Sequence, residues 1–170
     1  MVFRWVVVCL LVVTMGACSG QTLSEQVNGL WHRALEQVDA GKLDDALASA
    51  QKAVTIAPAD YDAWWLMGWV RDVRGEVPEA EAAYRKAINL NPNRAECHFN
   101  LGLVLRDQER YREAEAELRR AVQLQPENPE YHNDLGNVLW DLERYAEAEA
   151  EYRRAVQLDP DVAVFHYNLG

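Results

Sequence analysis

Three histidines, His98, His132 and His166, recur every 34 residues, and an imidazole can hold a metal or move a proton near neutral pH. Their spacing argues against both uses. A full period puts them on separate helices, and no HExxH, CxxC or nucleophile-elbow motif and no phosphate-binding glycine loop accompanies them. Packing is the role this spacing assigns to them. The three cysteines, Cys9, Cys18 and Cys97, make no disulfide framework, and Cys97 reads as a small packing residue. No catalytic residue, cofactor or metal site is expected, and no enzymatic activity is predicted for residues 18–170. What remains is binding chemistry, with Trp65 and Trp69 one helical turn apart.

The elements that must position those side chains follow from the period. Pro58, Pro92, Pro126 and Pro160 stand 34 residues apart, as do Gly68, Gly102, Gly136 and Gly170. Ala46, Ala80, Ala114 and Ala148 keep the interval, and so do Ala53, Ala87, Ala121 and Ala155, marking places where two helices approach too closely for a larger side chain. In register the copies are 27–60, 61–94, 95–128 and 129–162, with 163–170 starting a fifth that stops inside a helix. Each copy predicts two antiparallel helices. Trp64, Met67, Gly68 and Arg71 form a stripe on the first helix of the second copy, and Ala80, Ala83, Tyr84 and Ala87 form one on its second. Gly41 and Gly75 suit left-handed helix stops, Pro78 suits a first turn, and Asn93 and Asn128 read as N-caps. Glu81–Arg85, Glu115–Arg119 and Glu149–Arg153 are i,i+4 pairs expected on a solvated outer face.

The pattern resembles the tetratricopeptide repeat family. The second copy carries the resemblance through Trp64, Met67-Gly68, Gly75, Ala80, Tyr84, Ala87, Ile88, Leu90 and Pro92. The third carries it through Asn100-Leu101-Gly102, Tyr111, Ala114, Leu118, Ala121, Leu124 and Pro126, while in the first copy Ala34 replaces the glycine. The resemblance implies an all-α fold, a right-handed superhelical α-solenoid of antiparallel helix pairs. It also implies that the second stripe of each first helix lines a concave groove. Twenty positions fall there, among them Trp31, Trp65, Trp69, Phe99, Arg106, Asn133, Asn137 and Trp140, and they hold five aromatics, seven acids and one base. Aromatic anchors in a polar surround are the ingredients of a binding hot spot, and the acidic excess favours a basic or neutral protein or peptide. A second reading makes Trp65 and Trp69 extra core against the neighbouring repeat. Trp31, Trp65, Phe99 and Asn133 stand where members that clamp acidic chaperone tails carry the first of their lysines, which argues against that role. Asn100, Asp134 and Asn168 match the place where other members hold extended peptides through a ladder of carboxamides, although His32 and Leu66 interrupt it.

The N-terminus is built differently. Arg4 precedes an apolar run from Trp5 to Val13, and Gly16, Ala17, Cys18 and Ser19 follow, which is the build of a secretory signal peptide over residues 1–17. The run is shorter than the roughly 20 residues of a membrane span. Thr14-Met15-Gly16-Ala17-Cys18 resembles the lipobox of bacterial lipoproteins, with Met15 in place of the usual leucine. That resemblance implies diacylglyceryl transfer to Cys18, a periplasm-facing lipoprotein, and, through Ser19, the outer membrane. An ordinary cleavage site beside an incidental cysteine is the alternative. Residues 18–26 form a tether and helix start, with Thr22 and Glu25 spaced as a capping box.

The net charge is −10, and the only charge in residues 1–17 is Arg4, so losing the leader makes the chain more acidic. Nucleic acid and anionic lipid surfaces are disfavoured as partners, because both need clustered bases. Membrane attachment would come from Cys18. Together these readings predict an exported, lipid-anchored, noncatalytic scaffold, resembling envelope lipoproteins that assist assembly of pili, secretins or cell-wall machinery. The competing expectation is the recognition arm of a larger enzyme, glycosyltransferase- or protease-like, with its catalytic domain beyond residue 170.

Overall fold

The computed structural model describes residues 22–163 and Asn168. The leader, Cys18, His166 and most of the fifth copy lie outside the described residues. Among those described, eight α-helices follow one another as α1 (Leu23–Asp39), α2 (Leu43–Ile56), α3 (Tyr61–Val73), α4 (Val77–Leu90), α5 (Ala95–Asp107), α6 (Tyr111–Leu124), α7 (Pro129–Asp141) and α8 (Tyr145–Leu158). None of them is long and apolar enough to cross a membrane. They pack as antiparallel pairs, α1 with α2 through α7 with α8, and each pair stacks on the next. Successive odd-numbered helices also approach one another directly, whereas successive even-numbered ones come no closer than incidental contact. The odd-numbered helices therefore form the inner, concave side of the stack.

Local chemistry starts and stops these helices. Thr22 caps α1, its Oγ1 accepting from Glu25 N at 3.2 Å while Thr22 N donates to Glu25 Oε2 at 2.7 Å. Such a reciprocal box satisfies two of the donors a helix start leaves orphaned. Asp60 and Asn128 cap α3 and α7 through their side chains. Asn93 does not cap α5. The equivalent place belongs to Arg94, and the Asn93 carboxamide oxygen instead accepts from Arg120 Nη2 at 3.1 Å. Gly41 and Gly75 end α1 and α3 with φ of +70° and +74°, where a side chain would be strained. Glu109 and Glu143 accept that strain at the ends of α5 and α7.

Close approach within each pair sets the geometry. A Cβ added at Gly68 would stand 2.6 Å from the Tyr84 ring, one at Gly102 2.7 Å from Leu118, and one at Gly136 2.5 Å from Tyr152. Ala34 takes the glycine's place in the first pair and, like Ala46, Ala80, Ala114 and Ala148, is wholly buried. Between repeats, Trp64 Nε1 donates to Pro58 O at 2.9 Å, and His98 and His132 Nε2 meet Pro92 O and Pro126 O at 3.1 and 3.0 Å. Each histidine also meets a glutamate of the following helix through Nδ1, at 2.6 Å for Glu117 and 2.7 Å for Glu151. They are structural clasps.

The i,i+4 pairs do not all lie on a solvated outer face. Glu81 and Glu115 are mostly buried and join successive repeats: Arg110 reaches Glu81 at 2.7 Å, and Arg144 reaches Glu115 at 2.7 Å. Arg85 and Arg119 close each network onto Glu113 and Glu147. Helix periodicity sees only the partner on the same helix, which is why the cross-repeat arginines were not anticipated. Glu149–Arg153 alone is an exposed pair of the expected kind.

Two outcomes follow. Gly68→Ala should lower stability by about 1–3 kcal/mol through overpacking against Tyr84, while Gly29→Ala, with open space around it, should raise it by about 0.5–1 kcal/mol; urea unfolding measures both. At His132 the Glu151 carboxylate raises the imidazole above its ordinary 6.5 against the opposing effect of burial. The clasp is then complete below pH 6.5 and fades as pH rises through the raised value. The stability difference between wild type and His132→Gln should shrink across that rise, and a pH-independent difference would contradict it.

Candidate functional site

The inner face is built by the odd-numbered helices, on which residues four, seven and eight places after a groove residue return to the same side. The structure brings Trp31, Trp65 and Trp69 together. Trp31 lies 4.6 Å from Trp65 and 5.5 Å from Trp69 between ring centroids, the second contact stacked. All three are half-buried: Trp31 and Trp69 pack against the first core cluster and Trp65 against the second. Each ring therefore contributes to the core on one side and leaves part of its surface on the inner face. Trp31 Nε1 donates to Asp62 O at 3.2 Å, whereas Trp65 Nε1 is buried without a partner. Leu35 and Val73 extend the apolar surface and are 46% and 43% exposed.

Farther along, the face becomes polar and self-satisfied. Phe99, half-buried like the tryptophans, meets Tyr131 at 4.6 Å and packs against the core there. Asn133 is buried and accepts from Asn168 at 2.9 Å. Asn137 donates to Asp134 at 2.9 Å and accepts from the Tyr152 hydroxyl at 3.0 Å. Arg106, the one base, donates to Asp141 at 2.7 Å. Asn100 lies half-buried on α5 beside Tyr84. Asp134 and Asn168 thus spend hydrogen bonds inside the molecule rather than standing as a ladder with Asn100. Trp140 is 55% exposed and meets Tyr145 edge-on at 4.8 Å, two inner helices beyond the tryptophan cluster. Tyr152 was missed as the residue that fixes Asn137; its signal was the tyrosine shared by the second and fourth copies where the third has Leu118.

The electrostatics follow burial. Desolvation raises the Asp62, Asp72 and Asp134 carboxyls, with Asp107 adding to the effect at Asp72 and an Asn137 hydrogen bond opposing it at Asp134. Burial pushes the Cys97 thiol up to about 12, so it is no nucleophile. Among the described residues, no group of three or more His, Cys, Asp or Glu is placed to hold a metal ion.

A stack of helix pairs whose inner face mixes half-buried indoles, exposed Trp140 and acids is an α-solenoid binding scaffold. Its family is equally plain: residues 99–163 match the tetratricopeptide repeat model and residues 74–106 a TPR repeat model, together spanning more than half of the chain. The chain belongs to the tetratricopeptide repeat proteins. No curated protein matches it in sequence. Among solved structures it is similar to PilF of Pseudomonas aeruginosa, at 25% identity and a TM-score of 0.81 over 88% of this chain and 68% of that one. MamA of Desulfovibrio magneticus RS-1 shares the fold at 20% identity and 0.76, covering 87% and 84%. YrrB, described as a TPR protein with an unusual peptide-binding site, shares it at 23% and 0.69, covering 89% and 81%.

Proposed function

We propose that this protein is a noncatalytic scaffold, exported and lipid-anchored through Cys18, that holds a peptide or helix of a partner protein in its concave groove and serves envelope, pilus or secretion assembly. The observation that carries the groove reading is the Trp31–Trp65–Trp69 cluster, which keeps half-exposed indoles on the inner face beside exposed Leu35 and Val73. Large rigid rings of this kind bury much area at little entropic cost, and truncating such anchors typically costs about 2 kcal/mol or more of binding. The leader-like residues 1–17, the cysteine after small residues and the likeness to PilF support the envelope setting.

Capture of partners from envelope extract tests it. Trp65→Ala with Trp69→Ala should lose the captured protein at least about tenfold while far-ultraviolet helicity is kept. Unchanged capture would remove the groove from the account. The intact mass of the bait isolated from its host membranes should correspond to an N-terminal Cys18 carrying lipid.

A further inference from the structure

Successive inner helices are in contact, and one pair of positions, 35 residues apart and equivalent by the 34-residue register, changes its chemistry from one junction to the next. Between α5 and α7 the pair is Arg106 and Asp141, an ion pair at 2.7 Å. Between α1 and α3 the same positions hold Val38 and Val73. Between α3 and α5 they hold Asp72 and Asp107; burial raises the Asp72 carboxyl and the like charge of Asp107 adds to it, and among the described residues neither stands within ion-pair distance of a base. The setting worsens the mismatch, because both carboxylates sit in the last turn of a helix, at the negative end of its dipole. A separate group is left unfulfilled at the same place. Tyr84 is wholly buried, its hydroxyl lies beside the Asn100 carboxamide without reaching full hydrogen-bond geometry, and Asp72 and Cys97 are its other polar neighbours. Two carboxylates, with a buried phenol beside Asp72, thus occupy the positions at which the next junction pairs a guanidinium with a carboxylate.

We infer that the junction of α3 and α5 takes a cationic side chain from the partner, and that the bound segment carries a lysine or arginine next to an apolar residue. The cation completes Asp72 and Asp107 as Arg106 completes Asp141, and the apolar neighbour lies on Trp69, Leu35 and Val73. A guanidinium or ammonium brings several donors, enough for both carboxylates, and its approach past Trp69 is favoured by the indole face. The polar half of the groove offers no equivalent place, since its one base and its carboxamides are already engaged. The inference rests on the groove reading and adds the partner's chemistry to it.

The test is selection from a displayed library of random peptides on the full chain, followed by tryptophan-fluorescence titration of the selected peptides. Lysine or arginine beside a large apolar residue should be enriched. Affinity for those peptides should fall at least about tenfold in Asp72→Asn/Asp107→Asn, a variant that relieves a like-charge pair and should fold at least as well. Replacing the selected arginine by citrulline should weaken binding to wild type and leave binding to the double variant unchanged. Acidification should loosen the wild-type complex as Asp72 takes up its proton. Enrichment of acidic or uncharged sequences, or equal affinity in the double variant, would overturn the cation site. If Trp65→Ala/Trp69→Ala abolishes binding while Asp72→Asn/Asp107→Asn does not, the groove stands and the cation site falls. If the tryptophan variant binds the selected peptides as wild type does, the groove reading itself falls.

Discussion

The distance between the two helices of each pair is set by a missing side chain. Gly68, Gly102 and Gly136 let a tyrosine or leucine of the second helix lie against bare backbone, and in the first pair that place is held by Ala34, wholly buried, with small Ala50 at the position of the tyrosine. Interiors are too dense to absorb an extra methyl at such a crossing without movement. With the pair held close, the next pair can stack only with its odd-numbered helix against the previous one, and a face of odd-numbered helices is the outcome. The site is therefore a consequence of stacking, and its residues are placed by the close contacts within each pair as well as by those they make with one another across repeats. Tyr84 and Tyr152 show this directly: each ring covers a glycine while its hydroxyl is aligned with groove residues.

Two edges of the stack carry different polar chemistry. On the side of the even-numbered helices, glutamates and arginines pair across repeats in a network whose members are each partly exposed, so its value lies in fixing the rotation of one repeat on the next more than in raw stability. The histidine clasps pin each third- and fourth-copy helix pair to the preceding turn, and Trp64 makes a proton-independent version in the second copy. On the inner face the chemistry runs from apolar and acidic at α1 and α3 to a closed carboxamide network at α7.

The fold was readable because the residues that enforce it, glycine, alanine and proline, are chosen by backbone geometry and recur with the backbone's own period. Which groove residues come together was less readable. Trp31 is 34 places from Trp65, so its stacking on Trp69 arises only once two repeats are docked. The bond from Tyr152 to Asn137 and the pairs from His98 to Glu117 and His132 to Glu151 cross between helices at separations that no helical or repeat period marks. Asn93 was misread by one residue, because an asparagine beside a helix start satisfies the capping pattern at either of two adjacent places. The Asp72–Asp107 junction was visible as two acids in the sequence, but its contrast with a charge-paired junction appears only once Arg106 is seen to meet Asp141.

The central claim is that the inner face of α1, α3 and α5 is the receptor surface. Hydrogen–deuterium exchange on the protein alone and with its captured partner tests this most directly. The account predicts slowed exchange along those three helices, centred on Trp65 to Val73, with little change in α2, α4 and α6 beyond what stiffening of the stack produces. Protection centred on the even-numbered helices, with the inner face unchanged, would contradict it.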